Sequence, residues 1–94
     1  MIEERKMVIV GNSKPLLNYV TACITMFNSG ARCVVLRARG KAINAAVEVV
    51  QLLKKRFVSN LEISRITIDG ENVTSRDGKQ LNLSVIEIEL SVPN

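Results

Sequence analysis

The amino-acid order predicts an α/β fold, a βαβαββ two-layer sandwich with both helices on one face of the sheet. Three observations carry that expectation. Two short β-branched runs are each followed by a helical period, the chain closes in two alternating strand patterns, and Asp77-Gly78 marks a turn between those strands. With 94 residues the chain makes one domain, residues 1–94.

The first strand is expected at residues 7–10 (MVIV), ending at Gly11. Asn12, Ser13, Lys14 and Pro15 form a loop into a helix, with Pro15 suited to the first helical position because its missing N–H costs nothing there. Leu16, Val20, Cys23 and Phe27 then recur at helical spacing, and Gly30 is the expected left-handed cap. Residues 33–36 (CVVL) are apolar on both faces, which fits a central strand parallel to the first. A second helix is expected over about 41–57, its stripe Ile43, Val47, Val50, Leu53 and Phe57 widened by Ala42, Ala45, Val49 and Leu52. Lys54, Lys55 and Arg56 sit at its end, where the helix dipole favours cations.

Two long strands remain. Ile66 and Ile68 alternate with polar neighbours, as do Leu81, Leu83 and Val85; the phase then slips to Ile86, Ile88, Leu90 and Val92, the pattern a β-bulge leaves. Residues 69–80 contain only Val73 as a large apolar side chain, so they have little to bury and are expected to project as a hairpin arm.

Composition bounds the rest. Hydrophobic residues are 47% of the chain but aromatic ones only 3%, so Ile, Val, Leu and Ala must build the core. That surplus in a small chain also points to a subunit interface. No apolar run approaches the ~20 residues of a membrane span, and MIEERK does not read as a signal peptide. A cytoplasmic protein is expected. Cys23 and Cys33 form no CxxC, and with no His the chain offers neither a zinc set nor a Cys–His nucleophile, so reduced, buried thiols are expected.

Net charge is +4, unevenly spread: residues 1–60 hold ten Lys and Arg against three acids, residues 61–94 three against six. Such asymmetry suggests a basic face for an anionic polymer. Within it, Arg37 and Arg39 alternate at a strand exit, Gly40 permits close approach of backbone to ligand, and Lys41 opens the second helix. Ser13 and Lys14 stand likewise before the first. Cations at a helix start oppose its dipole, but a bound phosphate reverses that interaction. Two such starts at one edge would cradle a phosphate backbone.

The segments GNSKPLLNYV, RARGKAI, KKRF, VTSRDGKQ and VIEIEL together resemble the Alba family of archaeal chromatin proteins over nearly the whole chain. The resemblance implies the fold already read, shared with the C-terminal domain of a bacterial translation initiation factor. It implies a homodimer that binds double-stranded DNA, often RNA, without catalysis or cofactor, on the chromosome. The positions it implies for nucleic-acid contact are Ser13, Lys14, Asn18, Tyr19, Arg37, Arg39 and Lys41, with Arg76 and Lys79 in an arm that reaches toward the minor groove. Phe57 matches an aromatic between neighbouring dimers. Ser13 departs from the pattern, standing where well-known members carry the first of two lysines, the family's acetylation target. A dimer lacking two such contacts would show a salt slope shallower by roughly 1.8, compatible with a more selective, less abundant DNA binder. The alternative is an RNA-binding module of a ribonucleoprotein, with Tyr19 as a stacking surface. Enzymatic action ranks low: GNSK lacks the spaced Gly-Lys-Ser/Thr of a nucleotide loop, and the basic half holds no paired carboxylates.

Overall fold

The structure, a computed structural model, describes residues 5–93. Its order is β1 (Arg5–Ile9), α1 (Leu16–Asn28), β2 (Cys33–Arg39), a 3-10 turn (Gly40–Ala42), α2 (Ile43–Leu52), a π turn (Leu53–Phe57), β3 (Glu62–Thr74) and β4 (Gln80–Ser91). The strands form one sheet in the order β1-β2-β4-β3. β1 and β2 are parallel; β4 runs antiparallel to β2 and to β3.

Alternation along β2 assigns the two faces. Val34, Leu36 and Ala38 join the core with Tyr19, Val20 and Cys23 of α1 and Ala46, Val49 and Val50 of α2. Val35, Arg37 and Arg39 point to the helix-free face. Burying a Val or Leu side chain completely contributes about 1.5–3 kcal/mol, and Val34, Leu36, Leu53, Leu61 and Leu90 are all in that condition.

Several local details differ from the sequence expectation. Pro15 is the residue before α1 rather than its first residue, with ψ at 149°. Its carbonyl accepts the Asn18 N–H at 3.0 Å, starting the helix without any side-chain cap. At the other end Gly30 (φ 100°) does close the helix, with Gly30 N–H on the Phe27 carbonyl and Ala31 N–H on that of Met26, a Schellman arrangement. The buried face of the second helix runs through Ala42, Ala46, Val49, Val50 and Leu53, while Val47 and Phe57 lie exposed. The small Ala42 and Ala46 let the helix sit close on the sheet; of the bulkier stripe Val50 and Leu53 are buried, and Val47 and Phe57 are turned outward. After Leu52 the winding widens, and Val58 N–H reaches the Leu53 carbonyl at 2.6 Å, five residues back.

The register shift also moves. It falls between Ile63 and Arg65 of β3, while β4 pairs without interruption through Val85 and Ile86. The phase slip in β4 has another cause. Ile86, Ile88 and Leu90 face the helices, whereas Val85 is buried on the opposite face, paired with Arg39. Apolar residues change sides at the point where β2 stops covering the hairpin.

Beyond that point β3 and β4 continue alone, from Gly70↔Ser84 to Thr74↔Gln80, a ladder of roughly 17 Å. This is the expected arm. It closes through a three-residue loop in which Gly78 N–H bonds the Ser75 carbonyl and Ser75 N–H that of Lys79, with Gly78 at φ 85°. The arm stretches the molecule to 48 × 31 × 18 Å, with a radius of gyration of 14.3 Å against the ~12 Å usual for this length.

Among the described residues neither Cys23 nor Cys33 is in a disulfide. Cys23 is buried, and burial pushes its thiol up to about 11; Cys33 is half-buried. Among the described residues no helix is long and apolar enough to cross a membrane.

Candidate nucleic-acid interface

Because β1 and β2 are parallel neighbours and each feeds a helix over the same face, both helix starts open at one edge of the sheet. Neither start has a side-chain cap or an acid in its first turn. Apart from the Asn18 N–H on the Pro15 carbonyl and the Ile43 N–H on that of Gly40, the leading N–H groups there are left to solvent or to an anion. Lys14 and Lys41 are exposed beside them, and neither is engaged in an ion pair among the described residues. Ser13 and Asn18 are exposed on the same approach. Gly40 takes φ +58°, a left-handed conformation that turns the chain out of β2 and into the helix. A Cβ there would make ordinary contact with Leu83, so conformation rather than space calls for glycine.

Tyr19 does not present a stacking surface. It is 8% exposed, its ring belongs to the core, and its hydroxyl accepts the Gly11 N–H at 3.1 Å. A base could stack on it only if the ring left the core. What Tyr19 does is fasten the first residue of the loop that carries Ser13 and Lys14.

The arginines are arranged otherwise than a uniformly basic face requires. Arg37 donates to Glu87 at 2.7 Å and to Glu71 at 2.6 Å, and Arg39 donates to the other oxygen of Glu71 at 2.8 Å. The hydrogen bond from Arg37 to Glu87, helped by the charge of Glu71, holds its guanidinium even more firmly protonated than usual. Arg5 pairs with Glu89 at 3.1 Å on the same face. Acids of the C-terminal third thus neutralise cations of the N-terminal part across the sheet, and much of the charge asymmetry along the chain disappears in space. Among the described residues, Lys14 and Lys41 at the helix starts and Arg76 and Lys79 at the arm tip stay outside these ion pairs, as do Arg32, Lys54, Lys55, Arg56 and Arg65 elsewhere on the surface.

At that tip Arg76 and Lys79 are exposed. The Ser75 hydroxyl donates to the Asp77 carboxylate, and the Lys79 N–H approaches it at 3.4 Å. Those contacts hold Asp77 below the usual carboxylate range, so the turn stays braced at neutral pH and loosens as pH falls through the lowered value. Along the arm one face carries Val73, Leu81 and Leu83. The other carries Asn72, Asn82, Thr74 and Gln80, with Asn82 Nδ2 donating to Asn72 Oδ1 at 3.1 Å. This amide face is absent from the expected contact residues, although strand alternation through ENVT and QLNLS places its four side chains together.

The Alba profile matches residues 6–69, from β1 to the root of the arm. A DNA/RNA-binding protein Alba of Methanocella arvoryzae is 44% identical over 96% of this chain and 93% of that protein. The chain belongs to the Alba family. DNA/RNA-binding protein Alba 1 of Archaeoglobus fulgidus is 46% identical over 89% of the chain and 92% of its own length. Among solved structures, Alba from Thermoplasma volcanium superposes with a TM-score of 0.84 at 38% identity, covering 90% of this chain and 98% of that one. These relatives extend the Alba match through β4, beyond the segment the profile covers.

Replacing Tyr19 by Phe leaves the Gly11 N–H without its acceptor. The expected cost is about 0.5–1.5 kcal/mol, read from the urea midpoint. Amide exchange at Gly11 should quicken by more than the global loss of stability explains; uniform acceleration would place Tyr19 in the core alone.

Proposed function

We propose that this Alba protein binds double-stranded DNA as a homodimer on the chromosome, in the cytoplasm, and binds RNA through the same surface. The observation that carries this reading is the pair of uncapped helix starts at one sheet edge, each with a lysine next to it, Lys14 and Lys41, that makes no ion pair among the described residues. Free N–H groups and cations together fit a run of phosphates, and contacts of that kind position a protein without reading bases. Arg76 and Lys79 extend the same charge to the arm tip, where a two-stranded ribbon with an amide face fits a groove. Relatives named DNA/RNA-binding proteins support the assignment of nucleic acid as the ligand. The proposed role is binding and packaging, with no chemical step.

An uncovered apolar strip supports the homodimer. Ile66 and Ile68 lie on the helix side of β3, paired with Ile88 and Ile86, yet they are 56% and 78% exposed because the helices leave most of that strand uncovered. Ile43 adjoins Ile68 and Ile86, and Val47 continues the strip along α2. A second copy offering the same strip covers all of these residues and sets the two arms apart on either side. Phe57, 51% exposed at the end of the π turn, is the proposed contact between neighbouring dimers.

Three measurements test these readings. Changing Lys14 and Lys41 together to Ala should lower duplex affinity and flatten the slope of log K against log salt by about 3.6 per dimer, measured by anisotropy; an unaltered slope sinks the cradle. RNA competing poorly in the same titration would restrict the ligand to DNA.

Ile68→Asp should give a folded monomer by light scattering and circular dichroism. A variant that remains dimeric would place the interface elsewhere.

Phe57→Ala should leave binding to a duplex of single-dimer length unchanged and lower cooperativity on a long one. Equal losses on both would remove Phe57 from the dimer–dimer contact.

A further inference from the structure

The carboxylate of Glu71 sits where two guanidiniums converge. One of its oxygens is 2.6 Å from Arg37 and the other 2.8 Å from Arg39. Glu71 belongs to the arm, one rung beyond the root Gly70↔Ser84, whereas both arginines belong to β2 in the body. Paired opposite Leu83, it reaches across β4 to meet them. Among the described residues the arm has no third strand there, so this fork is a side-chain tie between arm and body.

A carboxylate held by two guanidiniums has the chemistry of a phosphodiester in the same place, two anionic oxygens against planar N–H donors. We infer that Arg37 and Arg39 form a phosphodiester site whose occupant in the free protein is the arm's own Glu71, and that a nucleic-acid phosphate takes the place of Glu71 and unties the arm. The inference rests on the nucleic-acid reading above and adds to it an exchange of anions.

The two arginines divide the work. Arg39 is half-exposed and has Glu71 as its only ion-pair partner among the described residues, so a phosphate reaches it first. Arg37 is more enclosed and keeps Glu87, its direct cross-strand neighbour, after Glu71 has left. The body of the sheet therefore stays neutralised while the arm is released. A resident carboxylate also lowers affinity for any phosphate that arrives without enough other contacts, so the site responds to a polyanion engaged elsewhere on the surface and discounts stray anions.

The test compares Glu71→Gln with Asp69→Asn. Asp69 lies on the same strand and the same face, makes no ion pair among the described residues, and its change alters net charge equally. Labelled short duplex is titrated at about 0.1 M salt, and the heteronuclear NOE of the Gly78 amide is recorded for each free protein. Glu71→Gln should tighten binding about two- to fivefold and lower the NOE at Gly78; Asp69→Asn should do less than half as much in binding and leave the NOE alone. Equal effects of the two changes would show bulk charge at work and overturn the exchange. Tighter binding with an unchanged NOE would overturn the tie to the arm. Should the wild-type protein bind no duplex or RNA at all, the underlying reading fails, and the exchange with it.

Discussion

The parallel pairing of β1 with β2 constrains everything that follows. Parallel strands must be joined by a crossover, and α1 supplies it over one face, so the chain returns to begin β2 beside the start of β1. Both strands then end at the same edge, and both release their helices there. With Arg5 level with Cys33 and Ile9 level with Arg37, the Ser13–Lys14 loop and the Gly40–Lys41 turn are neighbours by construction. An antiparallel pair would have sent one helix start to the far edge, and the two starts would not be neighbours. The fully buried Val34 and Leu36 fix the strand on which this depends, and alternation aims Arg37 and Arg39 at the other face.

The element order, the faces of β2 and the arm were legible because period-two and helical patterns report burial directly. Residues 33–39 alternate between core and open face as pattern alone requires, and the polarity of 69–80 announced a segment with nothing to pack against. Failures came where two surfaces compete for one pattern. Val47 and Phe57 keep helical spacing but face outward, and spacing alone does not tell an apolar residue covered by the core from one left on the surface. The slip at Val85 and Ile86 has the same character, since a strand that changes its covered side imitates a bulge.

The site was less legible than the fold. Lys14 and Lys41 lie exposed at the edge where their positions before the helices put them. Arg37 and Arg39 alternate as expected, but nothing local announces that Glu71 and Glu87, some 34 and 50 residues away, will meet Arg37. Long-range ion pairs depend on register, and register is a property of the assembled sheet. Tyr19 was ambiguous for a related reason, because an aromatic near a loop has a polar tip for the backbone as well as a face for a base.

The irregularity in β3 bears on a hazard the fold would otherwise carry. An edge strand of 13 residues exposing isoleucines is a template for strand addition, and addition of that kind has no natural end. The register shift between Ile63 and Arg65 interrupts the even row of N–H and C=O groups and adds local twist. Arg65, Asp69 and Glu71 then place charges along the opposite face of the same strand. A chain laid along this edge meets a broken ladder and a charged flank. The isoleucine strip stays available for face-to-face burial, while the route to fibrous aggregates is obstructed.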